Sequence, residues 1–200
     1  MRRPPWWALV SSVSAPVFLV GGWVAAQAVQ PPGYDAVHDT ISALARHGLD
    51  HRWIMTLGLA GLGVAHFVTS VGLSALRWWS RLVLALAGVS TALVAVLAEP
   101  YRGSSSAHAV CAAIGFVTLA LWPATAARYG SKPRPFVLRP SVAWSVTVLS
   151  SALLIWFAVT LSSGPVGVSE RLLTAQQALW PLIVVVTLRR VPRGGDRIGA

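Results

Sequence analysis

Six long apolar runs, separated by short polar stretches, constrain this chain more than any other feature. A bilayer-crossing helix needs about 20 mostly apolar residues. In lipid, each backbone N–H and C=O must be satisfied internally, so such runs fold as helices. The runs span residues 6–28, 53–76, 81–99, 107–127, 141–163 and 171–188. Glu99 and Pro100 stop the third, and Pro181 lies inside the sixth, where a kink is expected. Charged residues make up only 11% of the 200, against roughly 25% in soluble domains. The expected fold is all-α: a single six-helix membrane domain over 1–188, with a basic cytoplasmic tail without regular structure over 189–200.

Lys and Arg accumulate on the cytoplasmic side of short loops. With the N-terminus inside, the cytoplasmic cations are Arg2, Arg3, Arg77, Arg81, Arg128, Lys132, Arg134, Arg139, Arg189, Arg190, Arg193 and Arg197. Only Arg46, Arg52, Arg102 and Arg171 then lie outside. Both termini are expected in the cytoplasm, and the net charge of +10 is mostly topogenic, with some attraction to anionic lipid. It is not read as a nucleic-acid surface, because the cations sit between apolar runs and are not interleaved with stacking aromatics. Trp6, Trp7, Trp78, Trp79 and Trp144 fall at the inner boundary and Trp53 at the outer one, where interfacial Trp belongs. The start "MRRPPWW…VAAQA" also has the pattern of a signal peptide, but its apolar region is longer than the usual 7–15 residues. The single cysteine, Cys111, is read as a small buried residue.

The polar chemistry gathers outside. "YDAVHDTISALARHGLDH", residues 34–51, holds three of the six acids and three of the five histidines. Val37, Ile41, Leu44 and Gly48 form one helical stripe; Asp35, Asp39, Ser42, Arg46 and Asp50 form another. An amphipathic helix is expected here, lying on the outer leaflet or over the bundle mouth as a lid. A second focus, "AEPYRGSSSAHAVCAAIGF", places Glu99, Arg102 and His108 around one outer turn, with Glu99 and Arg102 as a candidate ion pair. His66 lies near the middle of the second run, where ionisable residues face the bundle interior or a cavity. Gln176 and Gln177 are candidate partners for a buried polar group, and Gly58, Gly61 and Gly63 predict close helix packing.

No HExxH, GxSxG or P-loop pattern appears. Zinc on His108, Glu99 and a lid histidine is chemically allowed, but no tight spacing supports it. A haem between His66 and His108 is not expected, since His66 lies thirteen residues below Trp53, roughly 20 Å deep, and His108 near the surface. No cofactor or metal is expected.

"YDAVHDTISALARHG" together with "EPYRGSSSAHAVCAAIGF" resembles a bacterial and archaeal six-helix family known as domain of unknown function nine-nine-eight. The resemblance rests on Ile41, Ser42 and Leu44 and on His108 at the outer end of the fourth helix, and covers nearly the whole chain. It implies six helices and brings no established activity. More distantly, the layout is similar to the damage-regulated autophagy modulators and a GPI-anchor lipid-remodelling protein, which implies lipid handling. Arg- and Ala-rich, Lys-poor usage points to a bacterium, and so to its plasma membrane.

Three functions follow as expectations. The first is a membrane protein that binds lipid, a partner helix or a second copy through its extracytoplasmic face, using His38, Arg46 and Arg102. The second is an outer-leaflet lipid-modifying enzyme with Asp39, Ser42, Glu99 and His108, in which His108 is the acid–base group. The third is a small transporter with a proton path through His66.

Overall fold

Helices that are apolar on every side gain nothing by hiding from lipid. They associate through small residues that let backbones approach and through occasional polar contacts. The computed structural model describes residues 2–30, 33–128, 130 and 134–191, and every regular element among them is helical. Six helices are long and apolar enough to cross a membrane: α1 Trp6–Ala28, α2 Arg52–Gly72, α3 Trp78–Val96, α4 Ser106–Ala126, α5 Pro140–Thr160 and α6 Val166–Arg190. Each packs on the next, and α6 returns to α1, so the six close into a ring. An even number of passes brings both chain ends to one end of the bundle, where Arg189 donates to the Pro4 carbonyl at 2.7 Å. The loop between α1 and α2 covers the opposite end.

Glycine sets the tightest contacts. A Cβ on Gly63 would stand 2.5 Å from the Ala92 nitrogen and 2.6 Å from the Gly88 oxygen, so α2 and α3 touch backbone to backbone. Gly58 meets Gly22 and the Phe18 carbonyl of α1 in the same way, and Gly61 lies against the Phe18 ring. All three glycines singled out in the sequence thus serve contacts within the chain. The outward faces stay apolar: Val17, Leu57, Val64, Leu82, Val96, Val148 and Ile155 are exposed, as suits contact with lipid. Trp6, Trp53, Trp78, Trp79 and Trp144 are exposed at or near helix ends, the interfacial positions.

The largest departures from the expected boundaries are at α2 and α6. α2 ends at Gly72 rather than at 76. Leu73, Ala75 and Leu76 are apolar because they pack as a turn against Leu84, Trp122, Val137 and Val184, while Arg81 caps the Ser70 and Val71 carbonyls. α6 begins at Val166, not 171, and runs on through Arg190, so the first two residues of the expected tail are helical. Lys132 and residues 192–200, with Arg193, Asp196 and Arg197, lie outside the described residues. The segment 34–51 is not one amphipathic helix. It is a chain of turns around a short 3-10 helix, Ser42–Ala45, with Ile41 and Leu44 buried in the core and Val37 exposed.

Candidate functional site

The α1–α2 loop is pinned from two sides. On α6, the Gly167 N–H donates to the Val37 carbonyl at 2.9 Å. The Arg171 guanidinium donates to the carbonyls of Ala36 and Asp39 at 2.8 and 3.2 Å, and to the Tyr34 hydroxyl. Burial pushes the Tyr34 hydroxyl above its ordinary pKa against the pull of Arg171, so it stays protonated and donates to the Thr40 carbonyl at 3.5 Å. On the other side, Arg46 pairs with Glu99 at 3.0 Å, and the His47 N–H donates to the Glu99 carbonyl at 2.9 Å. Within the loop, Asp35 meets His38 at 2.6 Å and takes the Val37 N–H, while Asp39 accepts the Asp35 N–H at 2.8 Å. The loop is a lid held by hydrogen bonds and by the burial of Ile41 and Leu44.

Beneath the lid, enclosed by α1, α2, α3, α4 and α6, is a cavity of about 60 Å³. Its walls are mainly apolar, but four buried polar side chains line it: His66, His108, Glu170 and Gln177, with relative exposures of 1%, 5%, 5% and 3%. Glu170 accepts the Ile41 N–H from the lid above. The Gln177 amide nitrogen donates to the Phe116 carbonyl at 3.0 Å; since a carbonyl only accepts, the amide orientation is fixed and its oxygen is left unpartnered. His108 sits in the first turn of α4, whose Ser105 hydroxyl caps the His108 N–H at 3.3 Å. Its Nδ1 meets the Leu97 carbonyl at 3.1 Å, so Nδ1 carries a proton, and of the two neutral tautomers this contact selects the one with its lone pair at Nε2. Both ring nitrogens of His66 lack a partner.

The cavity floor is apolar. Leu119 lines it, and below lie Leu84, Trp122, Trp180 and Val184. His66 and His108 share the cavity but stand at different heights. His66 is buried in the middle of α2, and His108 is in the first turn of α4 at the lid end.

Of the residues picked out in the sequence, the structure brings Ser42, His66, His108 and Gln177 to the cavity wall. It leaves Asp39 and Glu99 outside, one tying a lid turn and the other paired with Arg46. Arg102 is exposed and is not the partner of Glu99: the lid brings Arg46 to it instead. His38 is exposed on the lid, and Gln176 accepts from Ser150 of α5 at 2.6 Å. Among the described residues no three of His, Cys, Asp and Glu stand close enough to share a metal ion. The sequence reading missed Glu170, the carboxylate that does face the cavity, and Arg171. Both stood at its assumed start of the sixth helix, and the polar triplet "SER" there was the available signal.

A ring of six membrane-crossing helices with a tied lid over an internal, mainly apolar cavity defines a multi-pass integral membrane protein. The chain belongs to the family described as protein of unknown function (DUF998), whose model matches residues 12–187. Comparison with curated proteins and with solved structures gave no match, and nothing in these comparisons connects the chain to the eukaryotic lipid-remodelling group.

Proposed function

We propose that this protein binds a small polar group, carried by a lipid or by another membrane-borne molecule, in the cavity beneath its lid. The lid faces the extracytoplasmic side of a bacterial plasma membrane. One observation carries this reading: buried polar atoms of His66 and Gln177 have no partner and belong to residues that line the same cavity. Leaving a buried donor or acceptor unmet costs about 1–3 kcal/mol each. A bundle that keeps several such atoms around one space supports an occupant that meets them.

Native mass spectrometry of the protein extracted in mild detergent tests this. The expected result is a retained adduct that is lost on Gln177→Leu and on His66→Phe, both checked for folding by circular dichroism. A bare polypeptide mass in the wild type, extracted across several mild detergents, would overturn the reading.

A lipid-modifying enzyme is the second reading, and one observation favours it. The Leu97 carbonyl fixes the His108 tautomer, as required of an acid–base group aimed at a cavity. It predicts that His108→Gln abolishes a lipid-product peak while keeping the adduct.

A further inference from the structure

We infer that the group the cavity selects is a primary ammonium, R–NH₃⁺. The inference rests on the binding reading above and deepens it. Its basis is the donor and acceptor inventory of the wall. Glu170 presents a carboxyl group, Gln177 an unpartnered amide oxygen, and the Nδ1–H tautomer of His108 a lone pair at Nε2. The Thr91 and Thr174 hydroxyls have already given their protons, to the carbonyls of Ala87 and Glu170, and offer only lone pairs. Against these acceptors the wall sets fewer donors: an uncommitted N–H on His66, the second amide N–H of Gln177, the Ser42 hydroxyl and the Cys111 thiol. Neither Lys nor Arg lines the cavity, and Arg171, next to Glu170 in sequence, spends its guanidinium on the lid. A site built this way repels phosphate and carboxylate and is complementary to a cation with several N–H donors.

Size narrows the choice. One water needs at least about 10–15 Å³. A cavity of about 60 Å³ therefore takes a group of a few heavy atoms and excludes a whole lipid headgroup. An aminoethyl end, –CH₂–CH₂–NH₃⁺, fits: its methylenes meet the leucine and phenylalanine wall and its three N–H groups meet the acceptors. A trimethylammonium is bulkier and brings no donor. Burying Glu170 in its ionised form is costly, and a bound ammonium would add to the charge of nearby Arg171 in offsetting that cost. The amine can come from a free small molecule or from the headgroup of an aminophospholipid, and the experiment separates the two.

The purified protein in detergent is titrated with ethylammonium chloride, tetramethylammonium chloride and sodium chloride at matched ionic strength, and thermal unfolding is followed. Parallel samples in nanodiscs of phosphatidylcholine, with or without phosphatidylethanolamine, supply the lipid source. The expected result is a rise in Tm with ethylammonium alone, with affinity at least about tenfold weaker in Glu170→Gln, which removes the charge but keeps an oxygen for the Ile41 N–H. Gln177→Leu, remote from the lid, serves as a second variant with the same expected loss. Stabilisation by phosphatidylethanolamine discs, competed by ethylammonium, marks the lipid as the source; stabilisation by the free amine only marks a soluble one. No shift with either amine source, while the native mass still shows an adduct sensitive to Gln177→Leu, overturns the ammonium and leaves the binding cavity standing. No shift and no adduct overturns both.

Discussion

The Arg171 guanidinium donates to the Ala36, Asp39 and Gly167 carbonyls and to the Tyr34 hydroxyl. A lysine keeps the charge and loses the planar fork that reaches these acceptors together. Arg171→Lys is therefore expected to weaken lid docking by about 2 kcal/mol. In hydrogen exchange this appears as amides of the lid opening about thirtyfold faster while α1–α6 keep their protection. Equal acceleration in the helices would mean that Arg171 holds the bundle rather than the lid. Asp35 gives the lid a pH dependence. Its carboxyl is held below the usual value of 3.8, first by the His38 side chain and then by the Val37 N–H. The folded lid thus binds the proton less readily than the open one. The contribution of this pair is fully present above the usual carboxylate value and is lost as pH falls through the lowered one. Protection around Val37 and His38 should decline in that acid range in the wild type. Asp35→Asn should start lower and show no such step.

At the scale of the element, the α2–α3 contact has no slack. Gly63→Ala would drive a methyl into the Ala92 nitrogen and the Gly88 carbonyl, both backbone, so the helices must separate. The expected cost is about 1–3 kcal/mol, read as a lower Tm in detergent. Gly21→Ala, with nothing within 4 Å of the added carbon, should leave Tm unchanged or slightly raised. The six helices were legible because lipid demands long apolar runs and little else. The boundaries that slipped most are those where hydropathy and helicity part: Leu73, Ala75 and Leu76 are apolar for packing inside a turn, and Glu170 is an acid yet within the first turns of α6. The lid's apolar stripe exists in sequence, but Ile41 and Leu44 turn into the core and the Ile41 N–H goes to Glu170, a partner 129 residues away that no local period announces. The four residues expected to act together, Asp39, Ser42, Glu99 and His108, part ways in the structure. Ser42 and His108 reach the cavity because backbone position alone puts them there. Asp39 and Glu99 belong to the same outer region, but their side chains take nearer partners, which residue spacing does not disclose.

At the scale of the whole molecule, the cavity lies beneath the lid and is floored by packed apolar side chains, so the side of the membrane that the lid faces decides which compartment supplies the ligand. The cations argue for the outside. Arg2, Arg3, Arg77, Arg81, Arg128, Arg134, Arg139, Arg189 and Arg190 lie at the end that carries the termini. The lid end has Arg46, Arg52, Arg102 and Arg171, and three of these have local work, on Glu99, on the Ala45 carbonyl and on the lid. By the positive-inside rule the termini are expected in the cytoplasm. Two single-cysteine proteins in a Cys111→Ser background test this in intact cells: Ser104→Cys in the exposed α3–α4 loop at the lid end, and Ser74→Cys in the exposed α2–α3 turn at the other. A membrane-impermeant maleimide should label the first directly and the second only after permeabilisation. The reverse pattern would turn the molecule over against its charge bias and put the mouth of the cavity in the cytoplasm. The ammonium-bearing ligand would then have to be a cytoplasmic amine or an inner-leaflet lipid, and the same binding titration would be read against that pool.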